Sequence, residues 1–196
     1  MKIACLLGSP RPDGNSSLIA KRLIKTAEDL GAETTTFILN QLTSMGCQGC
    51  YVCKTKLDKC VLKDDLEKVL DTVQQADALV LASPVYYGDI TSQLKCFVDR
   101  SFSYLKPDYI TNPSPSRLAP GKKMVFILTQ GNPDEKWFDD IFRRYEFFFK
   151  WYGYTEISLI RACGFGSSGV IDITEDYLKK ADEAARALTR PLTTII

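Results

Sequence analysis

Four cysteines crowd residues 46–60, "GCQGCYVCKTKLDKC", at the spacing C-x2-C-x2-C-x6-C: Cys47, Cys50, Cys53 and Cys60. Thiolates this close in sequence can close around one metal centre, and Gly46 and Gly49 let the loop fold back on itself. Three chemistries stay open for them: ligation of an iron-sulfur cluster, a zinc site, or free thiols that oxidise reversibly. Zinc sites favour two C-x2-C pairs set apart by a longer run, so three cysteines at x2-x2 spacing suit zinc less. Cys5, Cys96 and Cys163 lie on apolar or helical stretches and read as small core residues.

A second stretch with chemistry in it is "GSPRPDGNSS" (8–17), with hydroxyls at Ser9, Ser16 and Ser17, an amide at Asn15 and a guanidinium at Arg11. It joins an apolar run to a helical pattern. A helix amino terminus offers unpaired N–H groups and partial positive charge, so the loop suits a phosphate, and its hydroxyls suit a dianionic monoester. It is neither G-x-G-x-x-G nor G-x-x-x-x-G-K-[ST], which argues against a standard dinucleotide fold and a P-loop nucleotidase. In "SPVYYGD" (83–89), Pro84 fixes the chain, Gly88 permits close backbone approach, and Tyr86 and Tyr87 supply planar surface. One tyrosine of the pair is expected to touch a flat ligand. "LTQGNP" (128–133) offers Thr129, Gln130, Gly131 and Asn132 to the other edge of such a ligand.

The elements that must position these residues alternate. Apolar or β-branched runs at 2–9, 33–40, 77–86, 122–131 and 154–164 predict five strands. Helical spacing predicts helices from Ser16 to a stop at Gly31, and over 64–76, 91–102, 135–153 and 173–191, the last with Thr174 as cap. The expected fold is α/β: a doubly wound, five-stranded parallel sheet with helices on both faces. One domain over 1–196, with a Cys-rich insertion at 46–60, is expected from the length. Ligands of such sheets bind at the carboxyl ends of the strands, so the loops after strands one, three and four are the ones to watch. The stretch 106–121 reads as a long surface loop.

The chain has no histidine, which removes Ser-His-Asp and Cys-His mechanisms and the commonest zinc ligand. Redox chemistry carried by a bound cofactor fits that composition, and no side chain is assigned as a catalytic acid or base. A net charge of +1 gives no reason to expect nucleic acid or a membrane as partner. The apolar start is too short for a signal peptide or a span, and seven cysteines suit a reducing compartment, so a cytoplasmic protein is expected.

"GSPRPDGNSS" followed by "ASPVYYGDITSQLKCFVDR" (82–100) resembles the NAD(P)H-dependent FMN reductase family of flavodoxin-like proteins. The resemblance implies that Ser9, Arg11, Asn15, Ser16 and Ser17 hold the FMN phosphate, and that Pro84, Val85, Tyr86, Tyr87 and Gly88 flank the rest of the flavin. Thr129 and Gly131 are expected nearby. The cysteine stretch through "KCVLKDD" resembles the motif of the iron-sulfur flavoproteins, a branch of the same fold in which a cluster exchanges electrons with FMN. The resemblance implies an FMN-dependent oxidoreductase that takes hydride from NAD(P)H and passes electrons to a flavin, quinone or other acceptor. The alternatives are an electron carrier with a 4Fe-4S cluster on the four cysteines, and a flavin or thiol redox sensor without turnover. The expected partners are a small-molecule acceptor or a redox protein. The aromatic run Trp137, Phe138, Ile141, Phe142, Tyr145, Phe148, Phe149 and Tyr152 covers more than one helix face, which predicts burial between subunits, and the resemblance implies a homodimer or homotetramer.

Overall fold

The computed structural model describes residues 1–165 and 173–190. Strands β1 (Lys2–Leu7), β2 (Glu33–Ile38), β3 (Ala78–Pro84), β4 (Lys122–Thr129) and β5 (Tyr154–Ala162) form one parallel sheet in the order β2-β1-β3-β4-β5. This is the flavodoxin-like order, with the strand order reversing between β1 and β3. Helices α1 (Asn15–Asp29) and α6 (Glu175–Thr189) cover one face. Helices α3 (Asp65–Gln75), α4 (Ser92–Arg100) and α5 (Asp140–Trp151) cover the other, and α2 (Val52–Thr55) is a single turn inside the cysteine segment.

Alternation along each strand divides the core in two. In β3, Leu79 and Leu81 pack with Leu66, Val69, Phe97 and Phe149, whereas Val80 and Ala82 pack with Ile19, Leu23, Ala181 and Ala185. Burial on both faces is why the central strands read as unbroken apolar runs, while the edge strand β2 exposes threonines. The same alternation sends Lys122 and Lys123 to opposite faces. Lys122 Nζ donates to the carbonyls of Gln74 (3.0 Å) and Ala76 behind α3, and Lys123 Nζ to those of Ala187 (3.3 Å) and Arg190 (2.9 Å) at the end of α6. Each ammonium meets the negative end of a helix. Burial holds the Lys122 amine below its ordinary pKa.

Most boundaries shift by one or two residues, and the start of the aromatic helix by more. The aromatic helix begins at Asp140, not 135, because Asp134 winds the preceding segment into turns and Phe138 takes a left-handed backbone (φ 65°). Its inward residues are Ile141, Tyr145 and Phe149, followed by Tyr152, whereas Phe147 and Phe148 are exposed. The terminal helix starts after Thr174, whose hydroxyl makes no capping bond, and the predicted end at Pro191 lies outside the described residues. Among the described residues no helix is long and apolar enough to cross a membrane.

Asp182 joins α6 to α1, accepting from Arg22 Nε (2.8 Å), Arg22 Nη2 (2.9 Å) and Thr26 Oγ1 (2.5 Å). The Arg22 and Thr26 hydrogen bonds hold its carboxyl at about 2, below the ordinary 3.8. A depressed acid stabilises the fold fully above the ordinary value, and that contribution disappears as pH falls through about 2. Asp182→Asn is expected to cost about 1 kcal/mol at pH 7 after allowance for partial solvent screening. Urea melts at pH 7 and pH 2.5 check this: the gap between variant and parent should narrow at the lower pH.

Candidate functional site

The first loop is tied to the end of the sheet before it reaches α1. Gly8 N–H donates to Ala82 O (2.8 Å), continuing the β1–β3 ladder, and Gly8 O accepts from Thr91 Oγ1 (2.7 Å). Thr91 caps α4 in turn, accepting from Leu94 N–H (3.4 Å). The turn itself is held by Arg11 N–H to Ser9 Oγ (3.1 Å), Gly14 N–H to Arg11 O (3.0 Å) and Ser17 Oγ to Arg11 O (3.4 Å). Gly14 is the N-cap of α1 and brings no side chain to its terminus, and the helix has no acidic residue in its first turn. The first intrahelical bond is Leu18 N–H to Gly14 O, so the N–H groups of Asn15, Ser16 and Ser17 have no partner within the helix. Beside them, Asn15 Oδ1 and Ser16 Oγ are buried with no hydrogen-bond partner. Buried polar atoms are almost always satisfied, so the Ser16 hydroxyl, with the N–H donors at a positive helix end, fits an anionic group, whereas the Asn15 oxygen calls for a donor.

These residues line a cavity of about 480 Å³ with Pro84, Val85 and Tyr86 after β3, Thr129, Gln130 and Gly131 after β4, and Phe165 after β5. The loops after strands one, three and four therefore converge, as the sequence predicts. Ser9, Arg11, Asn15, Ser16, Pro84, Val85, Tyr86, Thr129 and Gly131 all lie on this cavity. Gln130 turns its side chain into its own loop: Nε2 donates to Asn132 O (2.9 Å) and Asp134 O (3.0 Å), and Oε1 accepts from Arg161 (2.7 Å). Sequence reasoning misses Phe165, since a single aromatic beyond the fifth strand carries no local signal.

Four expected residues lie off the cavity, one of them Asn132, whose Oδ1 accepts from Asp134 N–H (2.9 Å). Ser17 is fully buried and its hydroxyl closes the loop from behind. Tyr87 and Gly88 form the tip of a tight turn, in which Tyr86 N–H bonds Asp89 O (2.8 Å) and Asp89 N–H bonds Tyr86 O (3.1 Å). Both tip residues have positive φ (51° and 76°), as the turn requires, and Tyr87 projects fully into solvent. Gly88 meets the Phe138 ring, which would lie 3.3 Å from an added Cβ.

The far side of that turn walls a second cavity of about 720 Å³, and here all four clustered cysteines meet. Cys47 and Cys50 are exposed, and Cys53 and Cys60 half-buried. Left-handed residues at Gly49 (φ 60°) and Tyr51 (φ 55°) double the loop back; Gly46, expected to share that task, is not among them. No three Cys, Asp or Glu among the described residues are gathered closely enough to hold one metal ion. Zinc on four thiolates needs sulfurs about 3.8 Å apart, given Zn–S bonds of about 2.3 Å, so this arrangement fits mononuclear zinc poorly. A larger cluster places its ligands further apart, and four sulfurs around one cavity with cations behind them are compatible with it.

Those cations are Lys54 and Arg100. Lys54 Nζ donates to Phe102 O (2.6 Å) and Leu105 O (2.8 Å) and lies 4.0 Å from the Phe102 ring centroid. Burial lowers its pKa, against the opposing pull of Cys53. Arg100, only 1% exposed, closes the neck of the cysteine loop. It donates to both Asp64 carboxylate oxygens (2.6 Å each), to Met45 O (3.3 Å) and to Leu62 O (3.2 Å). Burial alone would lift the Asp64 carboxyl, but Arg100 and the N–H groups of Met45 and Leu66 hold it below the usual carboxylate range. Sequence reasoning misses both Arg100 and Asp64, because the two are 36 residues apart. Of residues 106–121, Tyr109 lines this second cavity, packing on Phe102 and Trp151, and Arg117 Nη2 reaches Cys53 O (3.1 Å). Of the remaining thiols, Cys5 is buried and pushed up to about 12 by desolvation, as befits a core residue. Cys96 packs against the core half-buried, and burial also raises the half-buried Cys163.

A parallel sheet in this order is flavodoxin-like, and the open helix terminus lies at the switch between β1 and β3, where such sheets bind their ligands. Residues 1–134 match the family of NADPH-dependent FMN reductases, and the chain belongs to that family. An iron-sulfur flavoprotein of Methanocaldococcus jannaschii is 38% identical over 101 residues, 52% of each chain. The chain thus aligns with about half the length of the curated relatives it matches. The NAD(P)H:quinone oxidoreductase from Methanothermobacter marburgensis superposes with a TM-score of 0.75 at 18% identity, covering 97% of both chains. An FMN-dependent NADH-azoreductase from Bacillus anthracis, in complex with FMN, gives 0.71 at 17%, covering 97% of this chain and 100% of its own. At these identities the superpositions establish the fold.

Proposed function

We propose that this chain is an FMN-dependent oxidoreductase that takes hydride from NADH or NADPH and passes the electrons to a flavin, quinone or other acceptor. The observation that carries the reading is the unpartnered, buried Ser16 hydroxyl beside three helix N–H groups without intrahelical partners, inside a cavity at the switch point. Ser9, Asn15 and Ser16 hold the phosphate, with Arg11 exposed at its rim. Pro84, Val85 and Tyr86 form one edge of the flavin site, and Thr129 and Gly131 another. Bound FMN supplies the electronic chemistry of hydride acceptance, so the chain's task is to bind, orient and partly desolvate it. The whole of 1–196 is read as one functional unit, on the support of its single five-stranded sheet.

A second reading has its own observation. The four cysteines share one cavity, with Arg100 and Lys54 behind them, and the curated relatives include iron-sulfur flavoproteins. Cys47, Cys50, Cys53 and Cys60 would then hold a 4Fe-4S cluster that exchanges single electrons with a redox partner. The exposed aromatics Phe147 and Phe148 on α5 support a homodimer or homotetramer.

Anaerobic purification followed by an absorption spectrum and iron, sulfide and zinc analysis tests both readings. Flavin bands with steady NAD(P)H consumption support the reductase; about four irons and four sulfides per chain add the cluster. Absence of flavin after reconstitution sinks the main reading. Ser16→Ala, removing one donor to a charged group, is expected to weaken FMN binding about 10- to 100-fold with the melting curve little changed. Flavin fluorescence titration of the apoprotein measures it.

A further inference from the structure

We infer that Arg161 and Gln130 are positioning residues of the flavin site: acting through Gln130, Arg161 fixes the loop after β4 and sets a positive charge behind the cavity wall that favours the reduced flavin. The inference rests on the function proposed above.

Gln130 lies between Thr129 and Gly131 on the wall of the cavity of about 480 Å³ and is 4% exposed. Its N–H donates to Ala162 O (2.9 Å) and its carbonyl accepts from Phe165 N–H (3.3 Å), which ties the β4 loop to the end of β5 and seats Phe165 on the same cavity. Its amide nitrogen holds the carbonyls of Asn132 and Asp134, and its amide oxygen takes Arg161 Nη2 at 2.7 Å. Arg161 stands opposite Leu128 in the β4–β5 ladder. Its neighbours Ile160 and Ala162 pack on the α1–α6 side, so alternation sends Arg161 to the α5 side, where residues 131–139 lead into α5. There the same nitrogen also donates to Trp137 O. One guanidinium thus clasps both ends of this excursion, and the Phe138 ring within it abuts Gly88 in the loop after β3.

Both acceptors are neutral oxygens, so among the described residues no ion pair cancels the charge of the half-buried Arg161. Asp134 and Glu135, on the excursion, are exposed, where water and salt screen them. Hydride transfer adds two electrons and one proton to a neutral isoalloxazine and leaves it one negative charge. A fixed cation behind the wall favours that form.

The holoprotein, reduced anaerobically against a reference dye and followed at the flavin band, gives the two-electron potential. Fluorescence titration of the apoprotein gives the affinity for oxidised FMN. Arg161→Met is expected to weaken oxidised FMN about tenfold and reduced FMN about a further tenfold, a fall in potential of about 30 mV. Arg161→Lys, which keeps the charge, and Gln130→Met, which leaves Arg161 in place, should weaken both forms alike, about 2- to 10-fold, and hold the parent's potential. An unmoved potential in Arg161→Met overturns the inference even if the protein melts earlier, because loop stability alone weakens both forms equally. So does an equal fall in Arg161→Lys, or an FMN affinity in Gln130→Met that matches the parent's. If Arg161→Met does not fold, Arg161→Gln, which keeps a donor without the charge, takes its place. A parent protein that takes up no FMN defeats the proposed function and this inference together; one that takes it up, with a potential that Arg161→Met leaves unmoved, defeats the inference alone.

Discussion

Arg100→Met is expected to destabilise the fold by about 3–5 kcal/mol, because it strands the Asp64 carboxylate in a buried site. Asp64 is 8% exposed at its side chain and Arg100 fully enclosed, so little water reaches the pair. The loss falls first on the cysteine loop. Arg100 bridges Met45 O near its start and Leu62 O near its end, and Asp64 also receives Met45 N–H (2.9 Å). With the clasp gone, residues 46–60 should become the first site of proteolytic cutting, and their thiols should be alkylated faster than in the parent. The double variant Arg100→Met, Asp64→Leu removes both charges and should recover part of the loss, less about 1 kcal/mol for the missing cap of α3. Urea melts of Arg100→Met, Asp64→Leu and the double variant against the parent give the coupling energy directly; additive losses would show that the pair is not a unit.

Gly8→Ala is expected to cost about 1–3 kcal/mol and to reduce FMN affinity by about tenfold or more. A Cβ there would sit 2.8 Å from Leu94 Cβ, 2.9 Å from Thr91 Oγ1 and 3.2 Å from Ala82 O. None of these is the free end of a flexible chain. Relief would need the loop to move off α4, which breaks the Thr91 bond to Gly8 O and shifts the helix terminus where the phosphate is proposed to sit. Gly14→Ala is the milder comparison, since its Cβ would meet Ser9 Oγ at 3.0 Å, Arg11 O at 3.2 Å and Arg11 Cβ at 3.4 Å, none of them as close as the contacts at Gly8 to Leu94 and Thr91. Equal FMN affinities in the two variants would count against this account.

How much the sequence reveals depends on the range of the physics behind each signal. The five strands and the loop from Gly8 to Ser17 are legible because alternation, caps and turn residues act over a few positions. Which tyrosine of the pair reaches the cavity is not legible, because a hydrogen-bonded turn between Tyr86 and Asp89 sets their directions. The segment 135–139 misleads for a similar reason: its aromatics continue the helical spacing, but Asp134 and the left-handed Phe138 delay the helix. Arg100 is invisible at that range. At the end of α4 it reads as a solvated cation near a helix carboxyl end, and only the fold brings Asp64 to it.

The Tyr86–Asp89 turn faces the smaller cavity with Tyr86 and the larger one with Asp89. Asp89 Oδ1 accepts from Tyr145 OH (2.8 Å), so the partition is also fastened to α5. A wall one turn thick cannot shift towards one cavity without shifting away from the other. Any occupant that prefers one position of this wall therefore alters the free energy of occupancy across it, and linkage makes the effect reciprocal: each ligand changes the other's affinity by the same factor.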